Sequence, residues 1–251
     1  MTGSQKFFPS PASTKGVDLS VVVPAYNDAA RLARSLPEIF RYLRQNQYRF
    51  EVIVSEDGST DDTPAVAARW PEVKLVSHPR HTGKGFGVKQ GIMAASGELV
   101  LITDADLATP LTFLPALAAA VAGGAELAIG SRAAPGAATQ GRTWSRAGAG
   151  RVFNVLVQAL LTPGIRDTQC GFKLGRRDLL QKICRLSRLD GFAFDAEMVF
   201  LARRLGARVV EVPVEWHHVD GSRVHVVRDG VRMARDILKV FFQAHTGGYG
   251  M

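Results

Sequence analysis

Between residues 19 and 130 the chain alternates short apolar runs with stretches of helical spacing, and that order sharply limits the architectures open to it. Leu19–Val23 is an apolar run stopped by Pro24, after which Leu32, Leu36, Ile39, Phe40 and Leu43 recur at helical intervals. Phe50–Ser55 predicts a second strand, Thr60–Trp70 a helix with Pro64 in its first turn, and Val73–Ser77 a third strand. Gly85–Ala95 then predicts a helix, Glu98–Thr103 a fourth strand, Leu111–Ala122 an Ala-rich helix and Leu127–Gly130 another strand. Such a succession predicts the α/β class: a mainly parallel, Rossmann-like sheet flanked by helices.

Three of the predicted strands end in polar clusters: Pro24-Ala25-Tyr26-Asn27-Asp28, Glu56-Asp57-Gly58-Ser59 and Asp104-Ala105-Asp106. In open α/β sheets ligands bind beyond the carboxyl ends of the strands, so the three clusters predict one shared site. Two carboxylates one residue apart suit a hard cation such as Mg²⁺ or Mn²⁺, whose other positions go to water and substrate phosphates. The Gly83-Lys84-Gly85-Phe86-Gly87 segment is neither a Walker A loop, since position 78 is His and Gly follows Lys84, nor a dinucleotide fingerprint, since it does not follow the first strand. It reads as a flexible loop feeding a helix N-terminus that can meet a phosphate or a base.

The 251 residues, 46% apolar and 22% charged, suffice for one compact unit with a large core. Residues 1–16 read as a disordered leader without a signal-peptide core, which predicts a cytoplasmic protein. No stretch is long and apolar enough for a transmembrane helix. Cys170 and Cys184 form neither a disulfide framework nor a zinc pair and read as buried thiols. Charge divides the chain, with a net −1 over residues 1–131 and +9 over residues 132–251. The basic half predicts an anionic partner, and it carries no helix-turn-helix or aromatic RNA-binding signature, which argues against nucleic acid.

From Ala133 to Gly141 a Gly, Ala and Pro stretch marks a flexible boundary. Beyond it, Arg142, Arg146 and Arg151 precede the apolar residues 152–161, a segment suited to an interface or to a core helix. Residues 195–205 predict a helix and Arg208–Pro213 a strand. Asp229–Gln243 predicts an amphipathic basic helix with Val231, Ala234, Leu238, Phe241 and Phe242 near one face. His217 and His218 point to opposite sides of a strand and read as ordinary strand histidines.

The motifs together resemble family 2 glycosyltransferases of the GT-A fold, in the polyprenyl-phosphate (dolichyl-phosphate) hexosyltransferase branch. The resemblance runs over about residues 18 to 240. It is carried by Val22-Val23-Pro24-Ala25-Tyr26-Asn27, Asp57-Gly58-Ser59-Thr60, Gly83-Lys84-Gly85, Asp104-Ala105-Asp106, Gly130-Ser131-Arg132, Arg166 to Lys173 and Phe192-Ala193-Phe194-Asp195. Asp106-Leu107-Ala108-Thr109 and the stretch from Ile165 to Leu174 are nearer the glucosyl than the mannosyl members. Asp28 stands where Glu is usual, Glu56 where Asp is usual, and His81-Thr82 precede Gly83 in place of a more typical Asn or Arg context.

The resemblance implies a continuous GT-A domain in two halves: residues 17–131 for the nucleotide-sugar and residues 132–251 for the acceptor. It implies that Pro24, Ala25, Tyr26, Asp28, Asp57, Lys84 and Ala105 form the nucleotide pocket, with Arg223 closing over the diphosphate. Asp104 and Asp106 would hold Mg²⁺ or Mn²⁺, and Arg132 and Arg146 would clamp an acceptor phosphate. Asp195 and Ser222 would meet sugar or acceptor. The implied reaction is inverting transfer of a hexose, glucose from UDP-glucose, onto a polyprenyl phosphate by a peripheral enzyme on the cytoplasmic face of an anionic membrane. A membrane partner subunit is the other route to the bilayer. Mannosyl transfer from GDP-mannose and a non-catalytic basic module that binds anionic membrane or nucleic acid are the alternatives.

Overall fold

The computed structural model of the chain describes residues 17–140, 153–219 and 226–250. Among these residues the centre is a seven-stranded sheet built from β1 (Leu19–Ala25), β2 (Phe50–Asp57), β3 (Val73–His78), β4 (Leu99–Ile102), β5 (Leu127–Ser131), β7 (Lys173–Arg176) and β8 (Val209–Pro213). Its order is β3-β2-β1-β4-β7-β5-β8, parallel except for β7, which runs antiparallel to both β4 and β5. A separate parallel pair joins β6 (Ala138–Gln140) to β9 (Glu215–His217).

The helices are α1 (Ala29–Gln45), α2 (Thr63–Ala68), α3 (Lys84–Ala94), α4 (Leu114–Ala122), α5 (residues 153–160), α6 (Arg177–Leu186), α7 (Phe194–Arg204) and α8 (Val226–His245). Strands β1, β2 and β4 are apolar on both faces, as a sheet covered on both sides requires, and their side chains divide between two buried clusters. Val21, Val23, Val52 and Val54 pack with Leu32, Leu36, Ile39, Phe40 and Leu43 of α1, the residues whose spacing predicts that helix. Val22, Ile53, Val100 and Ile102 face the other side, against α3, α6 and α7.

Four elements depart from the sequence reading. β7 and α6 fall in a segment where only motif residues are legible. β6 lies inside the Ala133–Gly141 stretch read as flexible, where its pairing with β9 holds it extended. The helix read over Thr60–Trp70 is shorter, because Asp61 and Thr63 bond to each other and to the residues that open α1.

α8 differs in its faces. Ile237, Val240 and Ala244 are buried against the core, whereas Val231, Leu238 and Phe242 lie on the opposite side, 68%, 43% and 63% exposed. At the far end of this helix Tyr249 reaches back to Glu197 of α7, a fully buried carboxylate. Glu197 also accepts hydrogen bonds from Ser187 Oγ, Arg188 N and Leu189 N. The loop so fixed continues to Asp190, whose carbonyl accepts from Phe86 N at 3.1 Å, at the start of α3.

Candidate active site

Register sets the site. Ala25 pairs with Glu56 and Val22 with Ile102, so the segments that follow β1, β2 and β4 leave the sheet side by side. Asn27 has φ 51°, a left-handed turn to which asparagine is suited. Its N–H donates to Ser59 Oγ at 2.8 Å and its Oδ1 accepts from Thr60 N at 2.7 Å, which ties the first cluster to the second. Asp28 pairs with Arg31 at 2.8 Å.

Asp57 is buried and accepts from Thr82 N at 3.1 Å and Gly83 N at 2.7 Å, and His81 Nδ1 lies 2.8 Å from its Oδ2. The glycines of the next motif are packed, contrary to the flexible loop read from the sequence. A Cβ at Gly83, whose φ is 148°, would lie 2.4 Å from Asp190 O, and one at Gly85 would lie 2.5 Å from Phe194 Cβ. Glycine is needed at both for close approach.

Lys84, the first residue of α3, meets Asp104 at 2.8 Å and Asp195 at 3.9 Å. Asp195 in turn pairs with the fully buried Lys173, whose Nζ also donates to Cys170 O at 2.5 Å. A chain of alternating charge therefore runs Lys173, Asp195, Lys84, Asp104. Burial alone would lower the Lys84 pKa, but Asp104 and Asp195 hold it above the ordinary lysine value. Burial would raise that of Asp104, yet the charge and hydrogen bond of Lys84, with Lys173 and Arg132, hold it below the ordinary carboxylate value. Asp106 goes the other way: burial and then the negative charge of Asp104 raise it, against a hydrogen bond from Ala108 N.

At the end of β5, Arg132 is gripped by Asp167 through Nε at 2.7 Å, Nη2 at 2.9 Å and its own backbone N–H at 3.0 Å. Its guanidinium lies 5.9 Å from the centre of the Trp216 ring. Asp167 is itself placed by Glu211, which accepts from Arg166 N and Asp167 N at 2.9 Å.

The model of glycosyl transferase family 2 matches residues 20–184. The chain belongs to glycosyltransferase family 2. Dolichyl-phosphate beta-glucosyltransferases of Trichomonas vaginalis and Homo sapiens are 34% and 31% identical to it, each over 98% of this chain and over 80% and 82% of their own. Among solved structures, mannosyl-3-phosphoglycerate synthase from Rubrobacter xylanophilus gives a TM-score of 0.67 at 20% identity, over 94% of this chain and 76% of that one. Glucosyl-3-phosphoglycerate synthase from Mycobacterium tuberculosis, in complex with uridine diphosphate, gives 0.65 at 22%, over 91% and 80%. The fold is GT-A, with the mainly parallel, helix-flanked sheet expected from the sequence.

In this glycosyltransferase the fold gathers Lys84, Asp104 and Asp195 in direct contact and puts Pro24, Ala25, Tyr26, Asp28, Asp57, Ala105 and Asp106 on the adjoining strand ends. Arg132 stands near enough for its charge to act on Asp104. Arg146, Ser222 and Arg223 lie outside the described residues. Sequence reasoning did not single out Lys173, Asp167, His81 or Trp216 as site residues. Lys173 and Asp167 do sit inside the quoted motif, and a lysine and an aspartate flanking Cys170-Gly171-Phe172 are the available signal. Gly171 explains itself: a Cβ there would lie 2.0 Å from Asp104 Oδ2.

Proposed function

We propose that this glycosyltransferase moves glucose from UDP-glucose onto a polyprenyl phosphate of the dolichyl type, with inversion at the anomeric carbon. The observation that carries the reading is 34% identity along 98% of the chain to a dolichyl-phosphate beta-glucosyltransferase, over 80% of that protein. In this reading Pro24, Ala25, Tyr26, Asp28, Asp57, Lys84 and Ala105 hold the nucleotide, with Arg223 over the diphosphate, and Asp195 and Ser222 meet sugar or acceptor.

The donor set suits a divalent metal. Asp104 and Asp106 offer hard carboxylates, and the raised pKa of Asp106 reflects burial and a like-charge repulsion that a cation relieves. Among the described residues no group of three or more His, Cys, Asp or Glu forms a metal cage, so the remaining positions fall to water and donor phosphates. Asp104 and Asp106 would hold Mg²⁺ or Mn²⁺, which would supply positive charge to the leaving diphosphate. Lys84 adds a fixed positive charge beside the same carboxylate.

The acceptor phosphate is largely dianionic at neutral pH, its second pKa being near 6, and acts as its own nucleophile without a protein base. Arg132, whose Nε and Nη2 are locked by Asp167, keeps its Nη1 donors for that phosphate, and Arg146 is the second clamp.

A polyprenyl tail confines the acceptor to lipid, and we assign the chain to the cytoplasmic face of a membrane as a peripheral protein. Among the described residues no helix is long and apolar enough to cross a membrane. The outward stripe of Val231, Leu238 and Phe242, flanked by Arg232, Arg235 and Lys239, has the composition of a helix lying in an anionic interface.

The test is to incubate the protein with Mg²⁺ or Mn²⁺, polyprenyl phosphate and labelled UDP-glucose or GDP-mannose, and count label in the organic phase. Label from UDP-glucose supports the proposal, and label from GDP-mannose alone replaces the donor. No organic-phase label, with transfer to a soluble phosphate instead, overturns the acceptor.

A further inference from the structure

Tyr26 and His81 are stacked, their ring centroids 3.7 Å apart and their planes 18° from parallel. The edge of the same imidazole meets Asp57, with Nδ1 2.8 Å from Oδ2, and a ring nitrogen facing a carboxylate at that distance carries the proton and donates it. One face of Tyr26 and one oxygen of Asp57 thus bound a flat slot, whose occupant must be a planar ring with an N–H in its plane. His81 satisfies both demands. So does uracil, through its ring imide N–H.

At 3.7 Å there is no space for a second ring between the two. Asp57 cannot withdraw, since Thr82 N and Gly83 N hold its carboxylate in the interior. Those bonds fix the backbone just after His81, while the His81 side chain is 45% exposed and Asp57's only 4%. The imidazole is therefore the part free to swing into solvent by side-chain rotation.

Resting on the reading of these strand ends as the nucleotide pocket, we propose that His81 competes with the donor base for the slot between Tyr26 and Asp57. His81 sets how much affinity a base must bring, by making every base displace the same imidazole.

Competition has a thermodynamic signature that direct contact lacks. His81 is out of the slot in every bound state, so removing it favours all bases equally. We expect His81→Ala to tighten both UDP and CDP in calorimetry by the same factor, roughly three- to tenfold for the loss of one exposed stacked pair and one hydrogen bond. The UDP-to-CDP affinity ratio stays as in the unsubstituted protein. In the same protein labelled with ¹³C-histidine, the His81 ring signals, identified by their loss in His81→Ala, move toward solvent values when UDP is added. Unchanged or weaker UDP binding by His81→Ala, or His81 signals that do not move, overturns the competition while leaving the donor reading intact. Failure of the unsubstituted protein to bind UDP overturns both.

Discussion

The strand ends proposed to hold the donor and the end of β5 proposed to meet the acceptor, here the donor edge and the acceptor side, hold their charged groups by different means. At the donor edge, Asn27 and Asp57 are fixed by backbone N–H groups of segments that the sheet register already sets beside them. On the acceptor side, Arg132 depends on Asp167, 35 residues later, and Asp167 depends on Glu211, 44 residues later still. The outer face of α8 presents three apolar side chains to solvent. A small soluble nucleotide makes few contacts, so the groups proposed to meet it are fixed in advance, with only the His81 ring left to swing aside. In the reaction proposed above the acceptor phosphate is carried on a lipid tail and met at a surface, a task for one oriented guanidinium and an exposed stripe.

The contrast has measurable limits. Asp106→Asn should lower transfer by about a thousandfold or more, because an amide cannot hold the metal that supplies several kcal/mol at the leaving diphosphate. Circular dichroism should stay native, and retained activity in excess EDTA would remove the metal from the donor edge. Lys173→Met should destabilise the fold by about 3–5 kcal/mol, since it strands buried Asp195 without its cation. Chemical denaturation reads that loss; a variant as stable as the parent would mean that Lys84 alone holds the charge chain together.

Arg132→Lys keeps a positive charge beside Asp167 but loses the planar fork. Transfer to polyprenyl phosphate should fall about tenfold, in line with one charge-assisted hydrogen bond, with UDP affinity unchanged in calorimetry. Equal loss of both would move Arg132 to the donor side. Phe242→Ser should reduce flotation with anionic vesicles by about tenfold, matching the 1.5–3 kcal/mol of a buried Phe reduced by partial insertion. Unaltered flotation would free α8 from the interface.

The smallest effect concerns the core common to both halves. Burial pushes the Cys184 thiol up to about 12, and burial likewise raises that of Cys170. The thiolate is the reactive form, so at pH 8 both should resist a thiol reagent in the folded protein and react at once in denaturant. Labelling of the native protein at the unfolded rate would show that the core opens.

The parallel strands, the helices that cover them and the acidic strand ends were legible because each is a local pattern of period or punctuation. β7 was hidden by its own chemistry: Lys173 sits at the start of a buried strand, and a lysine argues against burial until Asp195, 22 residues on, is known to meet it. β6 was hidden because three residues among Gly, Ala and Pro acquire strand geometry only from β9. In the site, Asp104, Asp106 and Lys84 were legible through their motifs. The roles of His81 and Trp216 arise from contacts across the fold, for which no spacing in the chain gives a sign, and Asp167 is marked only by its motif. The outward apolar stripe of α8 was half legible: the helix was read, but which apolar residues face the core is decided by Ile237 and Val240 finding it.

Glu197 and Tyr249 are separated by 52 residues, and that interval has a consequence for the order in which the protein is made. Until residue 249 has been added, the carboxylate of Glu197 lacks the phenol that completes its hydrogen bonds. The loop braces Asp190, and Asp190 braces the start of α3 where Lys84 stands. The start of α3, read above as part of the nucleotide pocket, is therefore completed only once Tyr249 is in place. Trimming the polypeptide just before Tyr249 should be felt at Lys84, far upstream of the cut.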